Sequence, residues 1–420
     1  QPLINRRLAT RAAILLLTVA ALIFAYRWWL ARGTDLNHFG SAKTAGYIAA
    51  VELDPQGGSQ VVLITPGGQV RRSPGYTKGV TERDVVWRPD GMQLLFSSDR
   101  VITDAQRRAF NIFRWNLSND QVEPRTDGTI AWSAPSYAGS ADIEEERVFL
   151  AVAGGNVWER NVSELNGQKL MPFEPGKVSD NQDRQKQGGG SSEPESEALN
   201  IRRAKWTPDE AFIVGVRRTE TGEALVVQPM NVPPQERRVS SIALGARIEF
   251  DINPVNGQIA FITQGFQWGD PKDVPPEFKK NGRITKPFYH FVGIYDPANP
   301  STPVPIGASK EPKIGFGAVS VSPDGKMIAV TAGSFTEDRS FEPRYMAIVP
   351  ADRGPGAQPQ PLAQGEIFEP SWSPNGDKII YIKREGGRRN IYVINSDGSG
   401  EKLISDGSRS YATPIFSPQK

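Results

Sequence analysis

The chain has 420 residues, 38% of them hydrophobic, and 49 basic side chains against 47 acidic ones give a formal charge of +2. So balanced a chain lacks the basic stripe that nucleic-acid binding needs, and nucleic acid is not an expected partner. No cysteine is present, which removes disulfides, thiolate nucleophiles and zinc–thiolate sites, while 41 glycines and 34 prolines point to an all-β chain rich in turns.

The first element is the exception. Ala12 to Tyr26 is an uncharged run, flanked by Arg6, Arg7 and Arg11 before it and by Arg27 and Arg32 after it. A bilayer core asks for about 20 helical residues, and snorkelling of Arg11 and Arg27 lets residues 8–31 cross it. Leu15, Leu16, Leu22 and Phe24 form the apolar body of this anchor, and Trp28 and Trp29 fall in the interfacial belt. A cleaved signal peptide has a similar basic start and apolar run, but Tyr26-Arg27-Trp28-Trp29 is a poor cleavage region. The expected organisation is a transmembrane anchor over 1–32, a small polar tether over 33–45 and a β domain over 46–420. Three arginines before the span and two close behind it favour an inside N-terminus and an exported domain.

From residue 46 onward one strand unit recurs. An apolar or aromatic residue precedes a proline-bearing turn, which leads into a short apolar strand. The copies are Trp87-Arg88-Pro89-Asp90-Gly91, Trp206-Thr207-Pro208-Asp209, Ile252-Asn253-Pro254 with Asn256-Gly257, Val321-Ser322-Pro323-Asp324-Gly325 and Trp372-Ser373-Pro374-Asn375-Gly376. A degraded copy at Trp132, Pro135 and Tyr137 makes six whole units, the last with further strands at 379–382, 390–394 and 402–404. Asn375-Gly376 and Asp397-Gly398 are expected to form type I′ hairpin turns, with both central residues at positive φ. A repeat of roughly 40 to 50 residues indicates propeller blades. Phe416-Ser417-Pro418 ends the chain in mid-unit, and the strands at 47–51, 61–64 and 69–71 lack a first strand. Pairing these ends closes a seven-bladed β-propeller; six blades result if the degraded copy merges with a neighbour.

Two insertions break the repeat. Residues 177–200 are glycine- and serine-rich and read as a flexible loop. Residues 265–289 carry Phe266, Trp268, Phe278, Phe288 and Tyr289 among prolines, a composition suited to docking a partner.

Trp372-Ser373-Pro374-Asn375-Gly376 through Ile382, and Asn390 to Ile404, resemble the TolB-like family of β-propeller repeats, as does Ser322 to Lys326. The resemblance implies a propeller that binds other proteins, often in the bacterial envelope, without catalysis. The chain departs from that family's periplasmic type member by its anchor and by the lack of a recognisable N-terminal α/β domain.

Sites of chemistry are sparse. His38 falls in the tether and His290 opens an apolar strand, where a structural role is expected. No nucleophile elbow, no phosphate-binding loop and no cofactor motif occurs. The Asp90, Asp324 and Asn375 turns have oxygen ligands suited to calcium, but turn chemistry already explains them. Asp142, Glu144, Glu145 and Glu146 read as a solvated acidic loop, and Trp87, Trp206 and Trp372 as packing between blades. The expectation is therefore a non-enzymatic propeller on the periplasmic side of a bacterial inner membrane, held by a single span. It would scaffold a photosynthetic, respiratory or envelope complex. The alternative is an envelope propeller that uses its central funnel for a sugar, peptide or metal.

Overall fold

The computed structural model describes residues 44–101, 109–126, 130–137, 148–161, 167–171, 199–268, 279–280, 283–284, 290–309, 311, 313–336, 340–352 and 359–418. Seven antiparallel sheets form seven blades. Blade 1 comprises Glu82–Trp87, Gln93–Ser98, Asn111–Asn116 and Gln121–Pro124. Blade 2 comprises Trp132–Tyr137, Val148–Ala153, Asn156–Asn161 and Gly167–Met171. Blade 3 comprises Ile201–Trp206, Phe212–Thr219, Gly222–Pro229 and Ser240–Gly245. Blade 4 comprises Arg247–Ile252, Ile259–Gln264, His290–Tyr295 and Val304–Ser309. Blade 5 comprises Ile314–Val321, Met327–Phe335, Phe341–Pro350 and Gln360–Gln364. Blade 6 comprises Glu366–Trp372, Lys378–Glu385, Arg388–Asn395 and Lys402–Leu403. In blade 7 the C-terminal strand Ser410–Phe416 pairs with Ile48–Leu53, followed by Ser59–Ile64 and Val70–Arg72. Its register sets Ile48 opposite Phe416 and Leu53 opposite Ser410, which closes the ring as expected. The six-bladed alternative falls because Trp132–Tyr137 heads a sheet of its own.

Each blade is covered on both faces by its neighbours, so its second strand reads as a continuous apolar run rather than an alternation. Ile379, Ile380, Tyr381 and Ile382 are all fully buried in this way. Seven core clusters lie at the seven seams. Leu63 meets Trp115 between blades 7 and 1, Leu95 meets Trp132 between 1 and 2, and Leu150 meets Ile213 between 2 and 3. Val214 and Phe261, Ile262 and Val330, Ala329 and Tyr381, and Ile380 and Val62 fill the other four. Each fully buried Leu, Ile or Phe contributes about 1.5–3 kcal/mol of transfer free energy.

The recurrent turns also join blade to blade. Trp87 Nε1–H donates to the Ile415 carbonyl at 3.3 Å, and Trp372 Nε1–H to Ser320 at 3.1 Å, so each indole reaches the first strand of the preceding blade. Asn253 Nδ2–H donates to the Gly325 carbonyl of the following blade at 2.9 Å, as Thr44 does to Gly91 across the closure at 2.8 Å. The expected type I′ geometry is not adopted. Gly376 N–H bonds back to the Ser373 carbonyl at 2.9 Å, and of the pair Asn375-Gly376 only the glycine is left-handed, at φ 72°. Pro374 imposes φ near −65° at the first central position, which selects a type I turn followed by a left-handed glycine. Asp397-Gly398 behaves alike, with Gly398 at φ 89°.

Because strands alternate in direction, the connections sort to two ends. The proline turns and the third-to-fourth-strand links lie at one end, with the way in at Thr44. The second-to-third-strand links and the links between blades leave and re-enter the described strands at the other end, and those that carry 99–110, 172–200 and 265–289 are among them. No helix among the described residues is long and apolar enough to cross a membrane, and the expected anchor over residues 8–31 lies outside them.

Candidate interaction face

The first strands of neighbouring blades contact one another around the axis, and they share a feature three residues before the recurrent apolar position. That position is Asp84 in blade 1, Ala134 in blade 2, Arg203 in blade 3, Glu249 in blade 4, Glu369 in blade 6 and Thr413 in blade 7. Register shifts mark it in blades 1, 2, 6 and 7, where Asp84, Ala134, Glu369 and Thr413 sit at φ 55°, 49°, 52° and 46°. A bulge leaves one residue out of the ladder, and its N–H needs another acceptor. A carboxylate of the preceding blade supplies it: Asp84 accepts from Ala134 N–H at 3.2 Å, and Glu369 from Thr413 N–H at 2.6 Å. Elsewhere Glu223 accepts from Ile248 N–H at 2.7 Å, Asp251 from Val321 at 2.9 Å and Glu82 from Val61 at 2.7 Å.

These seam carboxylates were not singled out from the sequence. The available signal was an acid three residues ahead of the repeated tryptophan, Asp84 before Trp87 and Glu369 before Trp372. Each of these carboxylates accepts from a backbone N–H group of an adjacent blade. They act as seam ligands. No group of three or more His, Asp or Glu is placed to hold a metal among the described residues. His290 is buried and stacks on Phe335 with ring centroids 4.6 Å apart.

Charge is concentrated at the seam of blades 3 and 4. Arg202 bridges Glu223 at 2.7 Å and Glu249 at 3.2 Å, Arg203 reaches Glu249 at 2.8 Å, and Lys205 reaches Asp251 at 2.8 Å. Burial pushes the Glu249 carboxyl up, but Arg203, Arg202 and Arg247 together outweigh it and hold the group below its ordinary value. At the seam of blades 7 and 1 the balance is reversed. Glu82 is fully buried beside Arg100, and burial keeps its pKa raised despite that guanidinium and the Ser73 hydroxyl. Above this pair, at the long-connection end, lies a cleft of about 480 Å³ lined by Lys78, Val80, Arg100, Val101, Phe113 and Val122.

The insertion at 265–289 starts inside the core. Phe266 is 7% exposed and stacks on Phe291 at 4.4 Å between centroids. Gln267–Trp268 then pairs with Leu244 and Ala243 and adds a fifth strand to blade 3. Lys279–Lys280 pairs antiparallel with Arg283–Ile284, with Lys280 opposite Arg283. Phe278, Phe288 and Tyr289 lie outside the described residues, as does the acidic run 142–146.

Two Tol-Pal system TolB proteins, from Xanthomonas oryzae and Xanthomonas euvesicatoria, are each 33% identical to this chain over 103 residues. The repeats are TolB-like. That match spans 24% of this chain and only 22% of the length of either relative. No family model matches the chain. Among solved structures, TolB from Acinetobacter baumannii is 14% identical over 89% of this chain and 67% of its own, with a TM-score of 0.47. Hydrazine synthase of Kuenenia stuttgartiensis is 12% identical over 89% of this chain and 47% of its own, with a TM-score of 0.48. The seven-blade count of this TolB-like propeller rests on its own strand order.

Proposed function

We propose that this chain is a membrane-tethered, non-catalytic propeller that scaffolds or stabilises a larger integral membrane protein complex through its long-connection end. The supporting observation is the sorting of connections. The three longest, 99–110, 172–200 and 265–289, share one end, while the chain leads in through Thr44 at the opposite end. An N-terminal span over residues 8–31 would then leave the long-connection end facing away from the bilayer and toward a partner. A periplasmic position at a bacterial inner membrane accords with relatives named for the Tol-Pal system. The partner class is an envelope, respiratory or photosynthetic assembly.

Purification of the full chain in mild detergent, followed by mass spectrometry, is expected to recover partner chains in stoichiometric amount; a lone monomer would overturn the reading. Replacing residues 269–289 with a Gly-Ser linker is expected to weaken that association while the ring folds. The cut starts after Trp268 because Phe266 and the added strand belong to the fold. The cleft beside Arg100 favours a second reading, a ligand-binding or enzymatic propeller. A metabolite or metal that raises Tm in the full chain, and no longer does so after Lys78→Ala, would promote it.

A further inference from the structure

At the seam of blades 1 and 2, Arg114 and Arg125 both donate to one oxygen, Oε2 of Glu123, the first at 2.7 Å. Among the described residues, two guanidiniums against one carboxylate leave one positive charge over. The Nε–H of each arginine is buried without a hydrogen-bond partner among the described residues, and so is the Tyr137 hydroxyl. Tyr137 lies among Arg88, Asp90, Arg114 and Arg125, of which Arg88 and Asp90 form their own ion pair at 3.2 Å. Burial drives the phenol pKa up, so Tyr137 keeps its proton and is available to donate. Buried polar groups in folded proteins are satisfied, and each orphan points to something that satisfies it. Here the orphans on these three residues are all donors, beside an uncompensated positive charge. Water offers an acceptor but no charge; an oxyanion offers both, and guanidinium groups bind oxyanions through charge-assisted hydrogen bonds. Glu123 is 41% exposed, so the seam opens to solvent on that side.

We propose that the seam of blades 1 and 2 is an oxyanion site, in which Arg114, Arg125 and Tyr137 bind a carboxylate or phosphate group. The acidic residues Asp142, Glu144, Glu145 and Glu146 follow Tyr137 closely in sequence, and one arm of the test removes their charge so that an added anion is the sole anionic candidate. The test is therefore run on the full chain and on a second chain carrying Asp142→Asn, Glu144→Gln, Glu145→Gln and Glu146→Gln. Thermal unfolding is followed with inorganic phosphate or succinate against sodium chloride of equal ionic strength. At saturation either ion is expected to raise Tm by about 2 °C or more in at least one of the two chains. The ion that acts identifies the source as phosphate or carboxylate. Tyr137→Phe and, separately, Arg125→Lys are expected to cut the shift at least by half; a phenol that matters only for packing would leave it intact. No shift beyond chloride in either chain, or an undiminished shift in both variants, overturns the site.

Discussion

The two ends of the ring obey different rules. At the turn end, one short motif recurs, and its indoles and the carbonyl of a left-handed glycine take part in bonds across three of the seams. At the long-connection end nothing recurs, and the seams there are held by charged side chains such as Glu82 with Arg100. Repetition marks the part of a propeller that every blade needs in order to close. Departure from it marks what a particular chain adds, because a link that does not carry the ring is free to vary in length and composition.

The comparison can be broken most severely at the turn end. Trp372→Ala removes a buried indole and its bond to Ser320, and is expected to cost about 3–5 kcal/mol in denaturant unfolding. A loss near zero would show that the repeated tryptophan does not carry the seam. At the charged seam of blades 3 and 4, Glu249→Gln is expected to cost about 1.5–3 kcal/mol at neutral pH. The folded-state pKa of Glu249 is depressed, so its contribution is present above the ordinary carboxylate value and lost as pH falls through the lower folded value. The gap between wild type and variant should therefore shrink in acid. A gap independent of pH would contradict the depressed pKa.

Gly325→Ala tests a single turn. Gly325 lies at φ 72° with Asn253 packed where a Cβ would go, so about 1–2 kcal/mol is expected from the backbone alone. In blade 3 the comparable left-handed turn residue is Glu210, exposed and at φ 56°. Glu210→Gly should stabilise the chain by under about 1 kcal/mol, and a destabilisation would show that the carboxylate has a role of its own. Smallest of all is the expected effect on Tm of replacing 269–289. A large drop would place that insertion with the fold and not with recognition.

Most of the fold was legible because propeller physics repeats itself in the chain. Trp87, Trp206 and Trp372 precede the same proline turn, and the unmatched ends at Tyr47 and Phe416 pointed to their own pairing. Asn-Gly and Asp-Gly taken alone point to type I′ turns, whereas Pro374 and the wider loop around each glycine select a different turn. Proximity in sequence sets Phe266 beside the other insertion aromatics, whereas the path from the second strand of blade 4 places it on Phe291. The carboxylates at the bulges went unremarked because an acid in a short strand ordinarily faces solvent. Only the neighbouring blade shows that it has a backbone N–H to accept from.

The sequence by itself determined the unit and the pairing of the chain's ends, since these depend on local strand and turn preferences copied along the chain, while the sheet order decided seven blades over six. Tertiary structure alone decided which end gathers the links that carry the insertions, which acids hold the seams and where Arg114 and Arg125 meet on Glu123. Those are relations between blades, and residues tens of positions apart meet only after each blade packs against the next.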